Sequence, residues 1–185
     1  MAESVDLAEA VDEQPTQARA VLLTQLRYLI DEVEALKPIV DRVPASVQEG
    51  RPTPDDLSMK EIYGVIALRD EQVHQPRLQQ VAAAEDAPPA FEPVDDEALV
   101  DEEEWDAWAL PDILDRVQVA RQALVAQLDA VPADAWHRTG RFDGETYTLF
   151  EAVHRITRED ADRLRDLGYR LHGANLTDRE RDLPK

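Results

Sequence analysis

Cysteine is missing altogether from this 185-residue sequence. Its absence excludes disulfides, thiolate nucleophiles and cysteine-ligated zinc. Lysine is scarce too, present only as Lys37, Lys60 and Lys185. Lysine and arginine together number 20 against 40 aspartates and glutamates, a formal net charge of -20. No basic patch offsets that charge, which argues against a nucleic-acid partner, because phosphates would be repelled. No uninterrupted apolar stretch approaches the roughly 20 residues of a membrane span. The first residues lack a basic region followed by an apolar run, so they do not read as a secretory signal. These absences lead us to expect a cytoplasmic protein. Neither a Gly-x-Ser-x-Gly elbow nor a phosphate-binding glycine loop occurs, and no segment shows convincing strand alternation.

The aspartate-rich, lysine-poor balance has two readings. One is adaptation to a salt-rich cytoplasm, where self-repulsion is screened over only ~3 Å at molar ionic strength. The other is simply an acidic protein of ordinary habitat.

Apolar residues recur at helical spacing in four places. Leu22, Leu26, Leu29, Val33, Leu36 and Val40 step by three and four, which predicts a first helix from about Gln17 to Val43. Pro38 should fray its last turn, and residues 1–14 read as a flexible acidic lead. Residues 44–57 read as a loop, with Pro44, Gly50, Pro52 and Pro54. Ser58 and Glu61 then form a capping box, flanked by Leu57 and Ile62 as a hydrophobic staple. The second helix runs through Ile62, Val65, Ile66 and Val73. Pro76 should kink it before it resumes through Leu78 and Val81. Residues 83–107 form a long acidic connection, either wrapped on the bundle by Phe91, Trp105 and Trp108 or disordered between 84 and 104. The third helix follows Pro111, with Ile113, Val117, Ala120, Leu124, Leu128 and Val131 as its stripe. A turn spans Pro132 to Gly144. The fourth helix opens on a second capping box, Thr148 to Glu151, and carries Leu149, Val153, Ile156, Leu164, Leu167 and Leu171. The tail after Gly173 is polar. Four amphipathic helices with one long second connection predict an all-α four-helix bundle over residues 15–172.

Three segments carry a resemblance to a known family. The first is Leu57-Ser58-Met59-Lys60-Glu61-Ile62, followed by Asp70, Arg77 and Leu78. The second is Arg121 with Leu124, Leu128, Trp136 and Arg138. The third runs from Gly144 through Thr148-Leu149 to Glu159-Asp160 and Leu164. In this order they resemble the DinB/YfiT-like superfamily of four-helix bundles, whose members are described as metal-dependent hydrolases and thiol transferases. The resemblance implies a homodimer and a metal held by three histidines, one on helix two and two spaced i,i+4 on helix four. At those positions this sequence has Val65, Glu159 and Arg163. Valine cannot ligate, and arginine should repel a cation. No His-x-x-x-His occurs anywhere in the chain. Glu159 and Arg163 are spaced instead for an i,i+4 ion pair. Asp160, on the apolar stripe, needs buried donors such as Arg77 or Arg121.

The expectation that follows is a relative without metal or cofactor, serving binding or an accessory role. One alternative is a thiol-dependent transferase or hydrolase that uses Glu159, Arg163 and Asp160 in the same cavity. Another is a di-iron bundle built on the two Glu-x-x-His pairs, Glu71 with His74 and Glu151 with His154. His137 and His172 are assigned no role.

Overall fold

The computed structural model describes residues 7–101 and 103–181. Helix α1 is Leu7–Leu36 and continues as a 3-10 turn, Lys37–Arg42, with Pro38 at its second residue. A single turn, α2 (Ala45–Gln48), interrupts the following loop. The second bundle helix comes in three pieces: α3 (Met59–Leu68), a π-helical stretch Arg69–His74, and α4 (Gln75–Ala83). After it come β1 (Ala90–Phe91), α5 (Asp96–Val100) and a 3-10 turn, Trp105–Ala107. The third and fourth bundle helices are α6 (Leu110–Asp129) and α7 (Leu149–Arg181). Between them lie a 3-10 turn, Ala133–His137, and the strands β2 (Thr139–Phe142) and β3 (Glu145–Thr148). The main helices pack as a bundle, with α1 and α3 both lying against α6. Among the described residues, no helix is long and apolar enough to cross a membrane.

Both capping boxes form. The Glu61 amide donates to the Ser58 hydroxyl at 3.2 Å, and the Ser58 amide donates to the Glu61 carboxylate at 2.7 Å. Thr148 and Glu151 repeat the exchange at 2.8 and 3.2 Å. Each box satisfies helix-end amides that have no intrahelical acceptor.

The helix boundaries differ from expectation at both ends of the chain. α1 starts at Leu7 rather than near Gln17, so residues 7–14 form its first turns. α7 continues past Gly173 to Arg181. Residues 1–6 and 182–185 lie outside the described ones.

The fold is all-α in its architecture, with a small three-stranded sheet of short strands added in the connections. β2 and β3 form an antiparallel hairpin, and β1 adds to β2 in parallel. The hairpin turn is Asp143-Gly144, with φ of 55° and 84°. Positive φ at both central residues is what lets a two-residue turn match strand twist. The long connection after α4 is held by its aromatics. Phe91 stacks on Phe142 with ring centroids 5.0 Å apart. Trp105 is 2% exposed and lies against Gly64, where a Cβ would come within 2.5 Å of the indole.

The core has two apolar clusters. One gathers Leu29, Val33, Met59, Val65, Trp105, Leu114, Val117 and Leu167. The other gathers Leu22, Leu26, Leu78, Leu124, Leu128, Trp136, Val153 and Ile156. Between them, at one level of three helices, sits a buried charged triad. Arg121 of α6 donates to Asp70 at 2.6 Å and to Asp160 at 2.5 Å, and all three residues are buried. Of the two donors expected for Asp160, Arg121 is therefore its partner. Burial pushes the Asp70 carboxyl up to about 6, against the pull of Arg121. Burial also works to lower the Arg121 pKa, but the two carboxylates hold it above its ordinary value.

Candidate functional site

The second bundle helix changes its winding where the site begins. Pro76 has no amide hydrogen for the Gln72 carbonyl, so the regular ladder cannot continue through it. The Gln75 amide donates to the Asp70 carbonyl, five residues back. A π turn inserts one extra residue and re-aims the side chains around it. Asp70 is thereby directed to Arg121, while Arg69, Val73, His74 and Arg77 face a cavity.

That cavity has a volume of about 320 Å³. α7 supplies Ala152, Arg155, Ile156, Glu159 and Arg163, which stand at i, i+3, i+4, i+7 and i+11 and so share one helix face. The long connection supplies Pro93 and Val94, and the hairpin supplies Phe142, Asp143 and Tyr147. Val73, Leu78 and Ile156 are among the cavity's apolar lining residues.

Charge dominates the rim. Arg69 and Arg163 share Asp96, at 2.5 and 3.1 Å. Arg155 bridges Asp143 at 3.0 Å and Glu159 at 3.1 Å, and lies 5.7 Å from the Tyr147 ring centroid. Arg77 is different. Its guanidinium donates to the Glu92 carbonyl at 2.7 Å and lies 5.3 Å from the Phe91 ring centroid. Among the described residues it has no carboxylate at ion-pair distance. Burial accordingly lowers its pKa from the ordinary value, and Asp143 only partly opposes the shift. His74, on the same wall, makes no hydrogen bond among the described residues. Burial, and then the charges of Arg121, Arg69, Arg163 and Arg77, hold its pKa well below 6.5, so the imidazole is neutral.

The positions singled out from sequence fall into three settings. Glu159 and Arg163 both line the cavity. Their direct contact is a loose 3.8 Å, longer than the bonds that Arg155 makes to Glu159 and Arg163 to Asp96. Val65 is 0% exposed, sits one turn before Arg69 and belongs to the apolar core rather than the cavity lining. Asp160 belongs to the buried triad. His74, Arg69, Arg77, Arg155 and Tyr147 were not singled out as cavity groups. Only Arg155 carried a readable signal, four residues before Glu159 on the same helix; the π turn breaks the spacing of Arg69, His74 and Arg77.

The three-histidine metal centre does not fit these residues. Val65 offers no donor atom, Arg163 is a cation, and Glu159 is taken up by Arg155. His74 is ringed by guanidiniums rather than by further ligands. The di-iron arrangement fits no better. Glu71 is bound by Arg116 at 2.9 Å, and Glu151 is spent on the Thr148 cap. Among the described residues, no three histidines or carboxylates are grouped to hold a metal ion.

No family model matches the sequence, and neither does any curated protein. A solved structure is similar: YfiT from Bacillus subtilis, described as a probable metal-dependent hydrolase with an unusual four-helix bundle topology. The likeness covers 93% of each chain, with a TM-score of 0.62 and 16% sequence identity. The helix order, the long second connection and this likeness agree, and the chain has the YfiT-type four-helix bundle fold.

Proposed function

We propose that this chain is a binding protein rather than a catalyst, holding a small molecule in the cavity between α4, α7 and the β-hairpin without a metal. One observation carries the reading: an arginine and a glutamate already committed to ion pairs line the cavity where the resemblance implies histidines. A cavity of about 320 Å³ lies within the size range of small-molecule sites. Cytoplasmic location and a homodimer remain part of this proposal, the dimer resting on resemblance alone.

A second reading is a hydrolase or thiol-dependent transferase that uses the same cavity. The description of YfiT and the placement of His74, Tyr147 and Glu159 on the cavity wall favour it. Ligand-observed NMR separates the two, with chelator-treated protein screened against small polar organic molecules. The binding reading expects ligands that saturate, are not consumed, and bind equally with or without chelator. Binding or turnover that appears only when a divalent metal is restored overturns it.

A further inference from the structure

We propose that the occupant of this cavity is a small organic anion, its carboxylate or phosphate seated on Arg77 beside His74 and its apolar part on Val73, Leu78 and Ile156. The inference deepens the binding reading above and rests on it. Four guanidiniums face or border the space, and they outnumber Asp96, Asp143 and Glu159, the three carboxylates paired with them. This local positive excess stands in a chain of net charge -20. A concave site of one sign with low-dielectric walls focuses its field and attracts the opposite charge.

Arg77 identifies where the anionic group sits. A guanidinium carries five N–H donors in a planar fork matched to carboxylate and phosphate. One of them goes to the Glu92 carbonyl, and stacking near Phe91 fixes the plane. The other cavity arginines each hold a carboxylate at 2.5–3.1 Å. Arg77 alone among them is desolvated without one. A half-buried cation in this state loses solvation that only an anion restores fully. His74 supports the same assignment. Its imidazole is neutral and lacks a hydrogen-bond partner among the described residues, so it has one N–H to donate. Oxyanions accept such donors, whereas a ligand ammonium would meet four guanidiniums. Val73, Leu78 and Ile156 add apolar side chains to the same lining, which favours an anion attached to a compact carbon skeleton over a free inorganic ion. Phosphate and carboxylate share this chemistry, so both belong in the test.

The test uses the full chain, treated with chelator, in amide-resolved NMR titrations with benzoate, phenyl phosphate, benzamide, benzylamine and inorganic phosphate. Benzoate or phenyl phosphate should shift amides of Val73, His74, Arg77, Arg155 and Ile156 and saturate. Benzamide and benzylamine should bind at least about tenfold more weakly. Arg77→Gln should weaken the anion by about tenfold or more. Arg165→Gln, which removes the same charge from an exposed site on α7, should change nothing. Arg77→Lys keeps the charge without the fork, provides a second variant should Arg77→Gln fail to fold, and should retain part of the affinity. Equal binding of benzoate and benzamide overturns the anion assignment while leaving a binding role intact. Stronger binding of inorganic phosphate than of either aryl anion overturns the apolar half of the assignment. No shift with either aryl anion at millimolar concentration overturns the whole assignment, and binding that requires added zinc removes the metal-free reading as well.

Discussion

Replacing Arg121 by methionine removes the cation of the buried triad and keeps most of its volume. Asp70 and Asp160 would then be two enclosed carboxylates without a counter-charge, where four N···O contacts of 2.5–3.3 Å now hold them. Summing those bonds would overcount, because the desolvation of three charges already offsets much of their attraction. The relevant quantity is the cost of breaking a buried ion group from one side, about 3–5 kcal/mol. A loss of that size is a large fraction of the roughly 5–15 kcal/mol that separates folded from unfolded chains. At ~2–4 °C per kcal/mol for a chain of this size, the melting temperature should fall by ~6–20 °C. Urea denaturation and thermal melts followed by circular dichroism measure it. The deficit should shrink at acidic pH, where the carboxylates take up protons. Arg121→Met combined with Asp70→Leu and Asp160→Leu should recover most of the loss, since no charge is then left buried. A cost below about 1 kcal/mol for Arg121→Met alone would refute the reasoning, because that is the range of exposed ion pairs.

Gly64→Ala should gain up to ~1 kcal/mol in helix propensity, yet the new Cβ meets the Trp105 indole at 2.5 Å. Overpacking of this kind costs ~1–3 kcal/mol, so thermal melts should show net destabilisation, with altered tryptophan fluorescence. His74 should stay neutral in an NMR titration through pH 6.5. Its folded pKa lies below its unfolded value, so the unfolded chain takes up the proton first and stability falls as pH drops below 6.5. Asp70 acts with the opposite sign: it is pushed up to about 6 from 3.8, so it adds stability as pH falls across that interval. The difference between wild type and His74→Gln in pH-dependent urea melts isolates the histidine contribution. Melting temperature should rise from low to molar salt, because the net charge of -20 becomes screened; an unchanged value would remove the case for salt adaptation.

The helices were legible because their signals are local. A stripe such as Leu22, Leu26, Leu29 and Val33, or a box such as Ser58 with Glu61, needs only neighbours within a few turns, and each is found as expected. The small sheet was missed for the opposite reason. β1 pairs Ala90 with Arg141, far along the chain, and strands this short carry little alternation. Asp143-Gly144 was nonetheless a readable hairpin signal between Phe142 and Glu145. The cavity was half legible. Glu159 and Arg163 came from alignment to the resemblance, and both line it. Arg69, His74 and Arg77 depend on the π turn ahead of Pro76, which shifts the helical register by a residue, so regular periodicity could not place them. A lone arginine reads as a solvated charge in sequence. Only the convergence of two helices and a hairpin gathers four of them around one space.

Elemental analysis tests the central claim most directly. The full chain would be purified without chelator from cells supplied with zinc, nickel, manganese and iron. The proposed metal-free, arginine-rimmed cavity predicts transition metal far below one equivalent per chain, unchanged in Glu159→Gln. One equivalent that survives dialysis and disappears in Glu159→Gln would contradict it.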